Sequence, residues 1–213
     1  MSTAPYKTLR HEAADEVIIN KSRFIGYACP CETEEEALAF LNKIRTKHKD
    51  ATHNCYAYVI GKNSGIMRYS DDGEPGGTAG LPMMEVLKAQ GVVNCCVVVT
   101  RYFGGILLGA GGLARAYARG ARDAVNAAGI CRFSKVFVAK TDIPYSLFPK
   151  AEFEIGTRDF RVTGKEFGEN VTLTLLLSEG EREALSALLS ELSGGKITVV
   201  TVGETYAEDR ENS

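Results

Sequence analysis

Residues 92–115 read VVNCCVVVTRYFGGILLGAGGLAR, and this stretch decides the fold of the first half of the chain. Val92–Thr100 is a β-branched, apolar run bounded by turn residues, which predicts a strand buried on both faces. Alternation sends Cys95 and Cys96 to opposite faces of it. Tyr102–Gly112 is a glycine-rich loop. A helix follows from about Gly111 to Ala128 and stops at Gly129. On this helix Leu113, Tyr117, Ala121, Ala124 and Ala128 form the stripe to be buried. Arg115, Arg119 and Arg122, at i, i+4 and i+7, share an arc of about 60° on the other side. From Val86 to Arg122 there is no acidic residue.

Upstream of this unit, Glu16–Asn20 and Phe24–Cys29 read as strands joined by Lys21-Ser22-Arg23. Thr33 and Glu36 have capping-box spacing, and Ala37, Phe40, Leu41 and Ile44 continue at helical period. Cys55–Ile60 and Ile66–Tyr69 predict a hairpin around Gly61–Gly65. A second glycine-rich loop, Asp71–Gly80, leads into a helix with Pro82 in its first turn, ending near Gln90. Downstream, strands are expected at Val136–Asp142, Asp159–Thr163, Val171–Leu177 and Ile197–Tyr206. Helices are expected at Pro144–Glu154 and from the Ser178/Glu181 cap to about Leu192. The order β-α-β-β-α-β predicts a ferredoxin-like antiparallel sheet with two helices on one face. The class is α+β, with domains over 1–130 and 131–213 and a boundary near Gly129–Arg132. A short acidic tail, Glu208–Ser213, closes the chain.

Composition fits two small globular domains: 213 residues, 45% hydrophobic, 24% charged, net charge −2. The first 130 residues carry 15 Lys and Arg against 13 Asp and Glu, and the remainder 10 against 14. A nucleic-acid face would therefore be local and in the first half. Met1–Glu16 is polar and contains no secretory core. Val92–Thr100 is far too short to span a bilayer. Six cysteines with no C-x-x-C pair suit a reducing compartment, so a cytoplasmic protein without membrane contact is expected. Cys29, Cys31, Cys55 and His53 match no structural zinc spacing, and no metal or other cofactor is expected.

The Asp71–Gly80 loop holds Asp71, Asp72, Glu74 and Thr78 among four glycines. Its acids could hold a hard cation or move protons; their expected role is to bind backbone N–H groups, as turn acids do. In the later loop Gly104, Gly105, Gly109, Gly111 and Gly112 could offer N–H groups and a helix dipole to an anion, or simply allow tight packing. No Gly-Lys-Ser/Thr follows, so it is not a Walker loop. Gly109–Ala114 spells G-x-G-x-x-A, but nine residues after the strand ends, which argues against a dinucleotide turn. The arginine row with Arg101 reads either as a phosphate-backbone reader or as a solvated or paired face. His53, at a strand start, reads as a structural hydrogen-bonder. No nucleophilic triad, and hence no catalytic residue, can be assembled.

Asp72-Gly73-Glu74-Pro75 with Gly77-Thr78-Ala79-Gly80, then Val99-Thr100-Arg101-Tyr102-Phe103-Gly104-Gly105, Leu108-Gly109 and Gly111-Gly112-Leu113, resemble the signature of the IMPACT/YigZ family. Lys21-Ser22-Arg23-Phe24 and His53-Asn54-Cys55-Tyr56 resemble its two earlier blocks. The resemblance covers about residues 17–125, and the second half is similar to the small C-terminal domain of prokaryotic members. It implies a first domain similar to domain 2 of ribosomal protein S5 and a second like the ferredoxin-like modules of elongation factor G, folds found in machines that touch RNA. Eukaryotic members restrain a stress kinase that phosphorylates an initiation factor. They act through a ribosome-associated activator and carry an extra N-terminal interaction domain, which this chain, starting almost at the family core, is expected to lack. The expectation is a non-enzymatic, translation-linked factor whose partner is RNA or the ribosome, with a possible protein partner in translation control. The rival readings are a Mg-dependent enzyme acting on a phosphorylated small molecule, with Asp71, Asp72 and Glu74 on the metal, and a protein-interaction module without nucleic acid.

Overall fold

A computed structural model describes residues 4–210. The end of the acidic tail, residues 211–213, lies outside the described residues, as do residues 1–3. The chain divides into two compact units, one ending at Arg132 and one beginning at Phe133. Both are built on antiparallel sheets, and the class is α+β. Among the described residues no helix is long and apolar enough to cross a membrane.

The first unit contains β1 (Tyr6–Leu9), β2 (Ala13–Ile19), β3 (Ser22–Pro30), α1 (Glu34–Lys47), β4 (His53–Ile60), β5 (Ile66–Ser70), α2 (Gly80–Gln90), β6 (Cys95–Tyr102) and α3 (Gly109–Ala128). Its main sheet has the order β2-β3-β6-β4-β5, antiparallel throughout. Strand alternation makes two cores. Phe24, Cys55, Val97 and Val99 meet α2 and α3 on one face. Ile25, Tyr27, Tyr58, Cys96 and Val98 meet α1 on the other. Cys95 and Cys96 are split between these faces as alternation requires. The expected stripe of α3 is buried, together with Ala116, Gly120 and Val125. Close approach makes this seating possible: a Cβ on Gly26 would stand 2.2 Å from the Gly120 carbonyl oxygen.

Three local features of this unit differ from the sequence reading. The opening segment, read only as polar, contains β1, where Lys7 O accepts from Val93 N at 2.9 Å and Leu9 enters the core. The β2–β3 turn is Asn20-Lys21, both at positive φ, so Ser22 and Arg23 belong to the strand. The Thr33 cap forms with Glu36 N, but the Glu36 carboxylate accepts from Glu32 N, one residue earlier than the reciprocal box requires.

The second unit is formed by β7 (Ile130–Ile143, beginning in the last residues of the first unit), α4 (Phe148–Thr157), β8 (Arg161–Phe167), β9 (Val171–Leu177), α5 (Glu179–Ser193) and β10 (Val200–Glu208). Its strands lie in the order β10-β7-β9-β8, each antiparallel to its neighbour. Val171, Leu173, Leu175 and Leu177 form one core with both helices. Ser178 and Glu181 make a complete capping box. Several boundaries move, and β7 begins at Ile130, six residues before the expected Val136. Pro144 opens a turn whose carbonyl accepts from Leu147 N and Phe148 N, and the helix starts beyond it with Pro149 in its first turn. Asp159 has a φ of 53° and Phe160 N still bonds Ile155 O, so β8 begins at Arg161. Ile197 is tied to the end of α5 through Ser193 Oγ, which delays β10 to Val200.

Candidate functional site

The end of the first sheet where β3 and β4 begin and β6 finishes carries both glycine loops. The Asp71–Gly80 loop sends its three acids in three directions. Asp71 Oδ1 accepts from Ala79 N and Gly80 N, and Oδ2 from Gly77 N, at 2.8–3.0 Å. It thus supplies the α2 start with the cap that Ala79, having no side-chain acceptor, cannot provide. Burial alone would raise the Asp71 pKa; the three N–H bonds outweigh it and hold the carboxyl below its ordinary value. Asp72 accepts from Asn54 N at 2.7 Å and from Arg45 Nη2 at 3.0 Å. Thr78 Oγ1 donates to Pro75 O within the loop.

Glu74 turns inward, its side chain only 3% exposed. Its Oε1 accepts from Arg101 Nη1 at 2.6 Å and from the Tyr117 hydroxyl at 2.7 Å. The Arg101 guanidinium lies 5.5 Å from the Phe24 ring centroid and 5.4 Å from that of Phe103. Arg101 is therefore committed to tying the first loop to β6 and α3, and its Nε is buried without a hydrogen-bond partner. His53 Nδ1 donates to Asp72 O at 2.8 Å, which leaves Nε2 facing Glu74 Oε1 at 3.9 Å. Burial pushes the Cys55 thiol up to about 12 and raises the Tyr117 phenol far above its ordinary value. Both stay protonated at neutral pH and offer no nucleophile. Cys55 Sγ donates to Asp71 O at 2.9 Å. Cys29 is paired with Cys96 at the other end of β3, so Cys29, Cys31, Cys55 and His53 do not converge. Among the described residues no cluster suited to a metal is found.

The second loop packs and opens at once. A Cβ on Gly104 would fall 2.0 Å from the Lys21 carbonyl, and Gly104 N donates to Ser22 Oγ. This glycine locks the loop onto the β2–β3 turn. Gly105 and Gly109 have positive φ and face open space. Gly111 and Gly112 lie in the first turn of α3, where no side chain caps the helix and no acid is present. Arg115, Arg119 and Arg122 are all exposed. Arg119 pairs with Asp123 at 3.3 Å; Arg115, Arg122 and Lys21 make no hydrogen bond or ion pair among the described residues. Arg23 is exposed but bound to Glu16 at 2.8 Å. Arg115 and Arg119 line a cleft of about 350 Å³ with Ile19, Asn20, Leu108, Gly112 and Ala116. Phe103, Ile106 and Leu107 are 46%, 42% and 84% exposed on the same loop.

Sequence reasoning singled out the loops but missed Tyr117 as the second donor to Glu74, and Phe24 and Phe103 as the walls around Arg101. The helical stripe explained Tyr117 fully as core, and nothing in the spacing marks its hydroxyl. The alternation of β6, which places Arg101 on the face of Val97 and Val99, was the available signal for its burial.

Fold and site together define a two-unit α+β protein with a basic, glycine-rich end on its first unit. The model of the Impact N-terminal domain matches residues 20–125, and that of a domain of unknown function, DUF1949, matches residues 141–196. The chain is 42% identical to the IMPACT family member YvyE of Bacillus subtilis, over 97% of this chain and 95% of that one. It is 35% identical to the IMPACT family member YigZ of Escherichia coli, over 87% and 92%. The Protein IMPACT of Danio rerio is 37% identical over 45% of this chain and 31% of its own. A crystal structure described as that of a hypothetical protein superposes with a TM-score of 0.60 at 32% identity, covering 93% of this chain and 98% of that one. The chain belongs to the IMPACT family.

Proposed function

We propose that this protein is a non-enzymatic, translation-linked factor that binds RNA, free or in the ribosome, through the end of its first unit. Arg115 and Arg122, at the surface and without an ion-pair partner among the described residues, carry this reading. They stand on one helix face, in a stretch with no acid from Val86 to Arg122. Phosphates favour such a face, because each neutralised phosphate releases condensed counterions. The open glycines at the uncapped start of α3 add N–H groups to the same side. The non-enzymatic part rests on the acids, each already committed to protein donors, and on the protonated Cys55 and Tyr117.

In the same reading the first unit is similar to domain 2 of ribosomal protein S5 and the second is ferredoxin-like. The strand order β10-β7-β9-β8 around two helices on one face supports the second assignment. Partners beyond RNA, including a protein of translation control, and a cytoplasmic location belong to the proposal as well. Sedimenting ribosomes from cell extract tests it: the protein should travel with them at low salt and leave them at high salt. Absence from the ribosomal fraction at low salt would refute the ribosome-bound form.

A further inference from the structure

We infer that Phe103 is a stacking platform for an unpaired base, so that the RNA taken at this site is single-stranded; the inference rests on the RNA reading above. The ring is held from beneath. Arg101 lies between Phe24 and Phe103, 5.5 and 5.4 Å from their centroids, and its Nη1 bond to Glu74 fixes where the guanidinium sits. Phe24 is fully buried and Arg101 nearly so, while Phe103 is 46% exposed. The Phe103 backbone is pinned as well, its N–H donating to Thr52 Oγ1 at 3.1 Å. No other ring stacks on Phe103 among the described residues. The result is a preorganised aromatic that loses little entropy on binding, with a cation against its ring and nearly half of its surface exposed.

The occupant follows from the surroundings. Lys21, Arg115 and Arg122 are cations of the same unit without a partner among the described residues, and Phe103 lies five residues from Leu108, which lines the arginine cleft. A polyanion with flat, apolar faces satisfies both features. In a duplex those faces are hidden within the stack, whereas a single strand presents them, and base–aromatic stacking is indifferent to sequence. Ile106 and Leu107, exposed next to the ring, extend the apolar surface available to a neighbouring base or sugar.

The test is fluorescence anisotropy of the full chain with a short labelled uridine oligomer and with an RNA duplex of the same length, across a salt series. The single strand should bind more tightly than the duplex. Phe103→Leu should weaken single-strand binding by about fivefold or more and leave the salt slope unchanged, since no charge is removed. Phe103→Tyr should bind as wild type. Arg115→Ala should flatten the slope. Equal binding of both RNAs, unaffected by Phe103→Leu, would overturn the platform while leaving the RNA reading in place. Binding of neither RNA at low salt would overturn both. Phe103→Leu also takes a ring away from Arg101, so a wild-type circular dichroism spectrum of the variant at the assay temperature shows that the effect on binding belongs to the surface and not to loss of the fold.

Discussion

Replacing Glu74 by Gln should destabilise the first unit more than any other single-atom-scale change at the site. Glu74 and Arg101 have side chains 3% and 6% exposed, joined at 2.6 Å. Glutamine keeps the shape and can still accept from Tyr117, but it leaves the Arg101 cation buried without its counter-charge. Removing one partner of a buried pair costs about 3–5 kcal/mol. The rings of Phe24 and Phe103 offset part of this, since a desolvated cation–π contact contributes about 2 kcal/mol. A net loss of about 1–3 kcal/mol is therefore expected. Arg101→Met removes the cation and leaves Glu74 with the Tyr117 hydroxyl, a single neutral donor; its cost should be similar. The double variant Glu74→Gln/Arg101→Met buries no unpaired charge, so it should be more stable than additivity predicts by about 1 kcal/mol or more. The chain contains no tryptophan, so urea unfolding is best followed by far-ultraviolet circular dichroism, with hydrogen exchange on β6 peptides isolating the first unit. A Glu74→Gln loss below about 0.5 kcal/mol, or strict additivity, would refute the reasoning that this pair anchors the loop.

Asp71, with its depressed pKa, contributes stability that is complete above the unfolded carboxyl value of about 3.9 and is lost as pH falls through the lower folded value. Acid titration of Asp71→Asn should show a shallower fall in stability below about pH 4 than wild type, and the loss of charged N–H acceptance at the α2 start should cost about 1 kcal/mol at neutral pH. Gly104→Ala places a methyl group 2.0 Å from the Lys21 carbonyl. It should cost about 1–3 kcal/mol in thermal unfolding, whereas Ala at Gly111, which meets only the Arg115 tip at 3.6 Å, should be nearly neutral.

Much of the architecture can be read from the chain because its signals are local. The β-branched run expected over Val92–Thr100 forms a strand with the predicted split of Cys95 and Cys96, but it runs from Cys95 to Tyr102, its start delayed by Asn94 at positive φ. The small-residue stripe of α3 is the buried face, and Ser178 with Glu181 caps α5. What the chain conceals depends on distant partners. Tyr6–Leu9 is a strand because it is hydrogen-bonded to β7, far along the chain, and Lys7 O accepts from the equally far-removed Val93 N. The Pro144 turn and the Ile197 plug shift element ends by tertiary packing that period and propensity do not encode. The same holds at the site. The arginine face follows from helical spacing alone, but the burial of Arg101 against Glu74 and the seating of Phe103 emerge only when β6, the first loop and α3 are assembled.

The central claim is that unpaired arginines on α3 meet RNA phosphates, and counterion release measures it directly. Filter binding of ribosomal RNA fragments across a salt series should give a log affinity falling linearly with log salt. For Arg115→Ala/Arg122→Ala the slope should be shallower by about 0.7–0.9 for every phosphate that the variant no longer neutralises. Adding Arg119→Ala should change it less, because Arg119 already pairs with Asp123. Binding whose salt slope is the same in wild type and the double variant, or no binding at low salt, would contradict the account.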